Sequence, residues 1–218
     1  MKRVWCLLAL LCCGQVLADA DPQKAHALVA TTITQTLQVI NDSRPIYQSQ
    51  PEVFLTRVDA VLSPVLDFDR IARRVMAKHY RSASDAERSR FIGVFKQSLL
   101  NTYARGLVEF TDYKINMLPL RKENQTEKNT KVDFEVITSA GQVFPITQSL
   151  YFNAKQNTWL IQNVIINGIN VGQLFRDQFS RLVDEKGSVT GAIDAWEGVL
   201  KAGIDTKEAG HDSADETE

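Results

Sequence analysis

Residues 157–175 read NTWLIQNVIINGINVGQLF. A strand with one wet face alternates apolar and polar side chains. This stretch places Trp159, Ile161, Ile165 and Ile169 on one parity and Leu160, Val164 and Ile166 on the other. Both faces of the strand therefore need cover. In a chain of 218 residues, helices packed on one side are the usual source of it. The other side must be closed by something else, whether protein or guest.

The rest of the chain shows where those helices come from. Gln23–Asp42 carries Leu28, Ile33, Leu37 and Ile40 at helical spacing, and SRPIYQSQP (43–51) interrupts it. Glu52–Leu62 reads as a short second helix stopped near Pro64. Asp67 can cap a third, from Phe68 to about Arg81. Ser84-Asp85-Ala86-Glu87 is a capping box that starts a long fourth helix, in which Phe91, Val94, Phe95, Leu99, Tyr103, Leu107 and Phe110 recur every three or four residues.

At Thr111 the period changes to two. Strands are expected over Thr111–Leu120, around Val132, Phe134 and Val136, over Gln142–Asn153, and in the opening stretch. Short polar turns join them, so the four should form an antiparallel meander. Helical spacing returns in Val171–Val183, with Leu174, Phe175, Phe179 and Leu182 on one face. It returns again in Val189–Lys201, with Ile193, Trp196 and Leu200. Segregated elements of this kind imply an α+β fold, with N-terminal and C-terminal helices packed on a twisted four-stranded antiparallel sheet. Such a sheet, coiled against helices, makes a cone with room for a cavity.

Net charge is −1, so no global field recruits nucleic acid, and no nucleic-acid-binding motif spacing occurs. Lys2 and Arg3, the apolar run Val4–Cys13 and a small-residue site at Val16–Ala18 or Ala18–Ala20 read as a secretory signal over residues 1–20. That run is too short to span a bilayer. Cys6, Cys12 and Cys13 would leave with it, so the exported chain would hold no disulfide and no thiolate metal site. Residues 21–202 then form a single domain held by its own core, and the acidic residues 203–218 a disordered tail. A disulfide-free exported domain suits the bacterial periplasm.

Catalytic chemistry is sparse. Of three histidines, only His79 sits in the folded body, and no metal-ligand spacing, nucleophile elbow or phosphate loop is present. No cofactor is expected. His79 is read as a helix-end histidine with a local hydrogen bond, and Asp133 and Glu135 as a solvated pair on one strand face. Two features remain. Arg70, Arg74, Lys78 and Arg81, with Arg73 beside them, form a basic stripe opposite Ile71, Val75 and Met76. The stripe fits a solvated face or a dock for an anionic headgroup, membrane surface or acidic partner. The aromatic surplus on the long helix and the sheet fits a filled core or a lined cavity.

The segment LDFDRIARRVMAKHYRSASDAERSRFIGVFKQSLLNTYARGLVEF (66–110) resembles the signature region of the MlaC, or toluene-tolerance, family. NVIINGINVGQLFRDQFSRLV (163–183) is similar to that family's strand-then-helix segment. The resemblance extends over about residues 23–202. Departures are Tyr80 for a frequent Trp, Gln162-Asn163 for a usual Tyr-Asp, and Asn167-Gly168-Ile169-Asn170 for a usual Glu-Gly-Val-Ser.

The resemblance implies a periplasmic phospholipid carrier on a cone related to nuclear-transport-factor folds, not an enzyme. It also implies two partners: an outer-membrane lipoprotein–porin complex, and the inner-membrane MCE-domain protein of an ABC transporter. The lining is then expected from Val75, Phe95, Leu99, Tyr103, Phe134, Val136, Leu150, Phe152, Trp159, Ile161, Val164 and Ile166. Because that set draws on both strand parities, part of it should face away. Arg70, Arg74, Lys78 and Arg81 would touch headgroup or partner. The rival readings are a small-molecule enzyme on the same cone, which needs a pocket carboxylate beside a tyrosine, and an exported binding module with a filled core.

Overall fold

The computed structural model describes residues 20–109 and 113–196, with backbone alone for 102–109. Apart from Ala20, the signal segment and the tail lie outside these residues, as do Phe110, Leu200 and the side chains of Tyr103 and Leu107. In chain order come α1 (Pro22–Ser43), α2 (Pro51–Leu62), α3 (Phe68–Met76) and α4 (Asp85–Glu109). The strands follow: β1 (Tyr113–Met117), β2 (Asn129–Thr138), β3 (Val143–Asn153), β4 (Thr158–Ile166) and β5 (Ile169–Asn170). Helix α5 (Val171–Lys186) and α6, described over 189–196, end the fold. The sheet order is β1-β2-β3-β4-β5, each strand antiparallel to its neighbours.

The helix starts follow local chemistry. Asp21 accepts from Gln23 N ahead of Pro22, and Asp67 accepts from Arg70 N at 2.9 Å. The capping box of α4 is closed in both directions, Ser84 N to Glu87 Oε2 at 2.8 Å and Glu87 N to Ser84 Oγ at 3.2 Å.

Two local expectations fail. The third helix does not run to Arg81: Ala77 takes φ 47°, and a single 3-10 turn, Ala77–Tyr80, follows. A non-glycine residue in that region costs on the order of 1–3 kcal/mol. Burial of Val75 and Met76 and the Arg88 Nε bond to Tyr80 O at 2.9 Å hold the chain there. The sheet also has a fifth strand. Asn167 and Gly168, with φ 49° and 80°, form a tight turn that folds Ile169 back onto Ile166. An Asn-Gly pair between apolar residues is a strong hairpin signal that the strand reading passed over.

The double-sided pattern of β4 has a specific cause. Leu150 lies opposite Ile161 but Ser149 lies opposite Asn163, which leaves Gln162 as the extra residue of a bulge. Directly opposed side chains share a face. Trp159, Ile161, Val164 and Ile166 pair with Phe152, Leu150, Gln148 and Ile146, all of one parity on β3. Both parities of β4 therefore reach the inner face. On the outer face Leu160 lies opposite Tyr151, whose hydroxyl donates to Asp67 at the start of α3.

Three apolar clusters form the core, two of them among the helices and one between α1 and the sheet. One joins Ala72, Val75 and Met76 of α3 to Phe91 and Phe95 of α4, Phe179 of α5, and Ile193 and Trp196 of α6. The second packs Ala25 and Val29 of α1 on Val132, Phe134, Leu150, Phe152, Trp159 and Ile161. The third gathers Ile40, Phe54, Val58 and Leu100.

Candidate functional site

Where the three clusters meet, the interior is not filled. A cavity of about 240 Å³ is lined by Phe95 from the first, Ile161 from the second, and Val58 and Leu100 from the third. Leu62, Leu66, Ile71 and Leu99 close one side. Val164 and Ile166 form the sheet wall, and Val171, Gly172 and Phe175 at the start of α5 form the opposite rim. An apolar space of this size favours apolar guests over water. It lies below the roughly 300–1,000 Å³ of most small-molecule sites, so in this conformation it admits part of a chain rather than a bulky ring system.

Three polar side chains reach the cavity, and none titrates. Thr32 Oγ1 donates back to Leu28 O at 2.8 Å. Asn163 bridges the rim: its Oδ1 accepts from Gly172 N at 3.1 Å and its Nδ2 donates to Asn170 Oδ1 at 3.0 Å. Asn170 also caps α5 through Gln173 N at 3.1 Å. Gln148 Oε1 is buried with no partner. A side chain at Gly172 would place its Cβ 2.5 Å from Asn163 Oδ1, so the rim closes this tightly only with glycine.

A second, polar groove of about 760 Å³ lies beyond Leu66, which it shares with the cavity. Asp67, Asp69, Arg70, Arg73 and Lys96 border it. Lys96 pairs with Asp59 at 2.8 Å, tying α4 to α2. Burial pushes the Asp59 carboxyl up, but hydrogen bonds from Lys96 and Ser63 and the lysine's charge outweigh it and hold it below its usual value. Burial first, then the hydrogen bond to Asp67 and its charge, push the Tyr151 phenol up.

Of the residues expected in the lining, Phe95, Leu99, Ile161, Val164 and Ile166 border the cavity. Val75 instead packs into the α3–α4–α5 cluster. Phe134, Leu150, Phe152 and Trp159 fill the cluster beneath α1, with Val136 at its edge. They share the inner face but lie under protein. Tyr103 lies on α4, its side chain outside the described residues. Sequence reasoning missed Val58 and Leu62 on α2, Ile71 on α3, and Val171 and Phe175 on α5. The four-residue spacing of Phe54, Val58 and Leu62 was a usable signal for the first pair.

The basic stripe is divided by the break at Ala77. Arg70 is half-buried, its Nε donating to Gln162 Oε1 at 3.0 Å and its guanidinium 3.9 Å from the Tyr151 ring centre. Arg74 is exposed, its pKa lowered by burial and by Arg70. Lys78 and Arg81 are exposed on the 3-10 turn and just beyond. Among the described residues none of the four lines the cavity.

Other expectations change as well. His79 Nε2 sits 3.4 Å from Ser180 Oγ on α5, a tertiary contact rather than a local one. Asp133 is buried, not solvated, and is held by Arg121 at 2.7 Å and by the Thr147 hydroxyl. Leu174 is 50% exposed rather than on the packed face of α5.

Comparison with known proteins places the chain. The MlaC protein family model matches residues 30–198. The chain is 33% identical over 214 residues to the toluene tolerance protein ttg2D of Pseudomonas putida, spanning 97% of this chain and 95% of that protein. It is 25% identical over 206 residues to the intermembrane phospholipid transport system binding protein MlaC of Haemophilus influenzae, spanning 92% and 85% respectively. In fold, it matches a solved phospholipid-binding protein from Ralstonia solanacearum in complex with a phospholipid, with a TM-score of 0.70 and 22% identity over 82% of this chain and 99% of that one. On the family match and the near-complete span of its relatives, the chain belongs to the MlaC family.

Proposed function

We propose that this protein is a periplasmic phospholipid carrier that holds acyl chain in the cavity between α2, α4, α5 and β4. One observation carries the reading: an apolar space without a titratable group in its lining, left open where three packed clusters meet. The energetic need is plain. Two acyl chains hold on the order of 30 methylenes at about 0.8 kcal/mol each, so free passage through water costs about 24 kcal/mol. An apolar cavity makes transfer nearly neutral for the part of a tail that it encloses, and so lowers that cost in proportion. Direction then comes from donor and acceptor, for which the outer-membrane lipoprotein–porin complex and the inner-membrane MCE-domain protein of an ABC transporter are the partners. The names of the Haemophilus and Ralstonia relatives support phospholipid as the cargo. A cleaved signal over residues 1–20 would deliver the chain to the periplasm.

The same lining argues against the enzyme reading, because an isomerase-type site needs a carboxylate beside a tyrosine and neither borders the cavity among the described residues. The exposed Arg74, Lys78 and Arg81 are assigned to contact with acidic partner surfaces rather than to the tails.

The test is lipid analysis of protein purified from bacteria, by native mass spectrometry and by extraction. Wild type should carry phospholipid. Leu99→Asp, which places a charge in the apolar lining, should lose it while circular dichroism stays helical. Wild-type protein that is repeatedly empty and takes nothing from vesicles overturns the reading.

A further inference from the structure

Most large apolar side chains among the described residues are covered. Among the described residues four are exposed: Val53, Val143, Ile169 and Leu174. Val53 lies on α2 and Val143 at the start of β3, and neither borders the cavity. Ile169 and Leu174, 59% and 50% exposed, lie five residues apart and flank Val171 and Gly172 of the cavity lining in the chain.

Their direction follows from the backbone. Ile169 is directly opposite Ile166 across the β4–β5 pair, so the two side chains share a face, and Ile166 lines the cavity. Leu174 stands three residues after Val171 on α5, which makes them surface neighbours, and Val171 lines the cavity too. The lining itself grades outward. Thr32, Val58, Leu100 and Ile161 are buried, whereas Ile166, Val171 and Phe175 are half-exposed. Ile169 and Leu174 therefore extend the apolar surface of Ile166 and Val171 into solvent.

We propose that Ile169 and Leu174 form the entry lip of the cavity, the first apolar surface that an acyl chain meets on its way from a bilayer to Ile166 and Val171. This rests on the carrier reading and adds the location of the portal. An acyl chain leaving a bilayer exposes methylenes to water until it touches the next apolar surface, and the lip shortens that interval. Its effect belongs on the rate of transfer, because neither side chain touches the deep end of the cavity.

The experiment measures uptake of a fluorescent phospholipid from vesicles of phosphatidylethanolamine and phosphatidylglycerol by the full chain. The pair Ile169→Asp with Leu174→Asp should slow uptake tenfold or more, yet reach the wild-type lipid content after long incubation. The milder pair Ile169→Ser with Leu174→Ser should slow it about threefold, which guards against a folding defect in the first. Val143→Asp, a comparably exposed site on the opposite face of the sheet, should take up lipid at the wild-type rate. Wild-type rates in both lip pairs overturn the lip alone, and so does an equal slowing in Val143→Asp. A wild-type protein that takes up no lipid overturns the carrier reading and the lip with it.

Discussion

Two neighbouring regions of this interior use the same residue types to opposite ends. Around Trp196 the rings of Phe91, Phe95, Phe175 and Phe179 all lie within 6.1 Å, centre to centre, at the spacing of packed aromatic pairs. Across Phe95 the walls turn aliphatic, with Leu62, Leu66, Ile71, Leu99, Ile161 and Val164, and there the space stays open. Phe95 and Phe175 belong to both regions. These two rings make the packed aromatic region one wall of the open one. Vacancy in this fold is therefore local, framed by a packed aromatic mesh on one side and the α1–sheet core on the other.

The largest effect that tests this contrast is on stability. Trp196→Ala, which empties the filled side, should cost about 3–5 kcal/mol in urea unfolding. Val164→Ala on the cavity wall should cost under about 1.5 kcal/mol, because its methyls already lack partners across the gap. Equal losses at the two sites would mean that the cavity is as well packed as the aromatic core.

A smaller effect concerns the rim. Gly172→Ala forces Asn163 away and should cost about 1–2 kcal/mol through the hydrogen bonds to Gly172 N and Asn170. Adding Asn163→Ala should give back part of that loss. Strictly additive losses would show that the two positions are not in contact.

The smallest effect is at the α2–α4 tie that frames the cavity. The Asp59–Lys96 pair is about one-third exposed, so Asp59→Asn should cost only about 0.5–1 kcal/mol at pH 7. The folded carboxyl sits below the usual aspartate value, so the contribution is present above that value and is lost as pH falls through the lower folded one. Wild type and Asp59→Asn should converge in melting temperature as pH falls through the lowered folded range of the carboxyl. A gap that persists there would assign the effect to packing instead of charge.

The element order was legible because it rests on local physics. Apolar spacing of three and four marked the helices, spacing of two marked the strands, and Asp67, Ser84 and Glu87 marked helix starts through bonds that the structure contains. The sheet-wall residues Ile161, Val164 and Ile166 were also within reach. Their apparent conflict of parity came from assuming regular alternation, which the extra residue at Gln162 breaks. The break of α3 at Ala77 left no local mark, since alanine favours helix. Without that break Lys78 and Arg81 would have continued the line of Arg70 and Arg74.

The amino-acid sequence determined by itself which surfaces are apolar, where helices begin and how the meander is strung, because those depend on neighbours within a few residues. The tertiary structure alone decided which apolar surfaces meet protein and which meet empty space. Phe152 and Val164 share one inner face, yet Phe152 is covered by packing around α1 and Val164 opens onto the cavity. A buried pattern looks the same from within the strand whatever stands across from it, and only the placement of α1, α2 and α5 over the sheet separates the two cases.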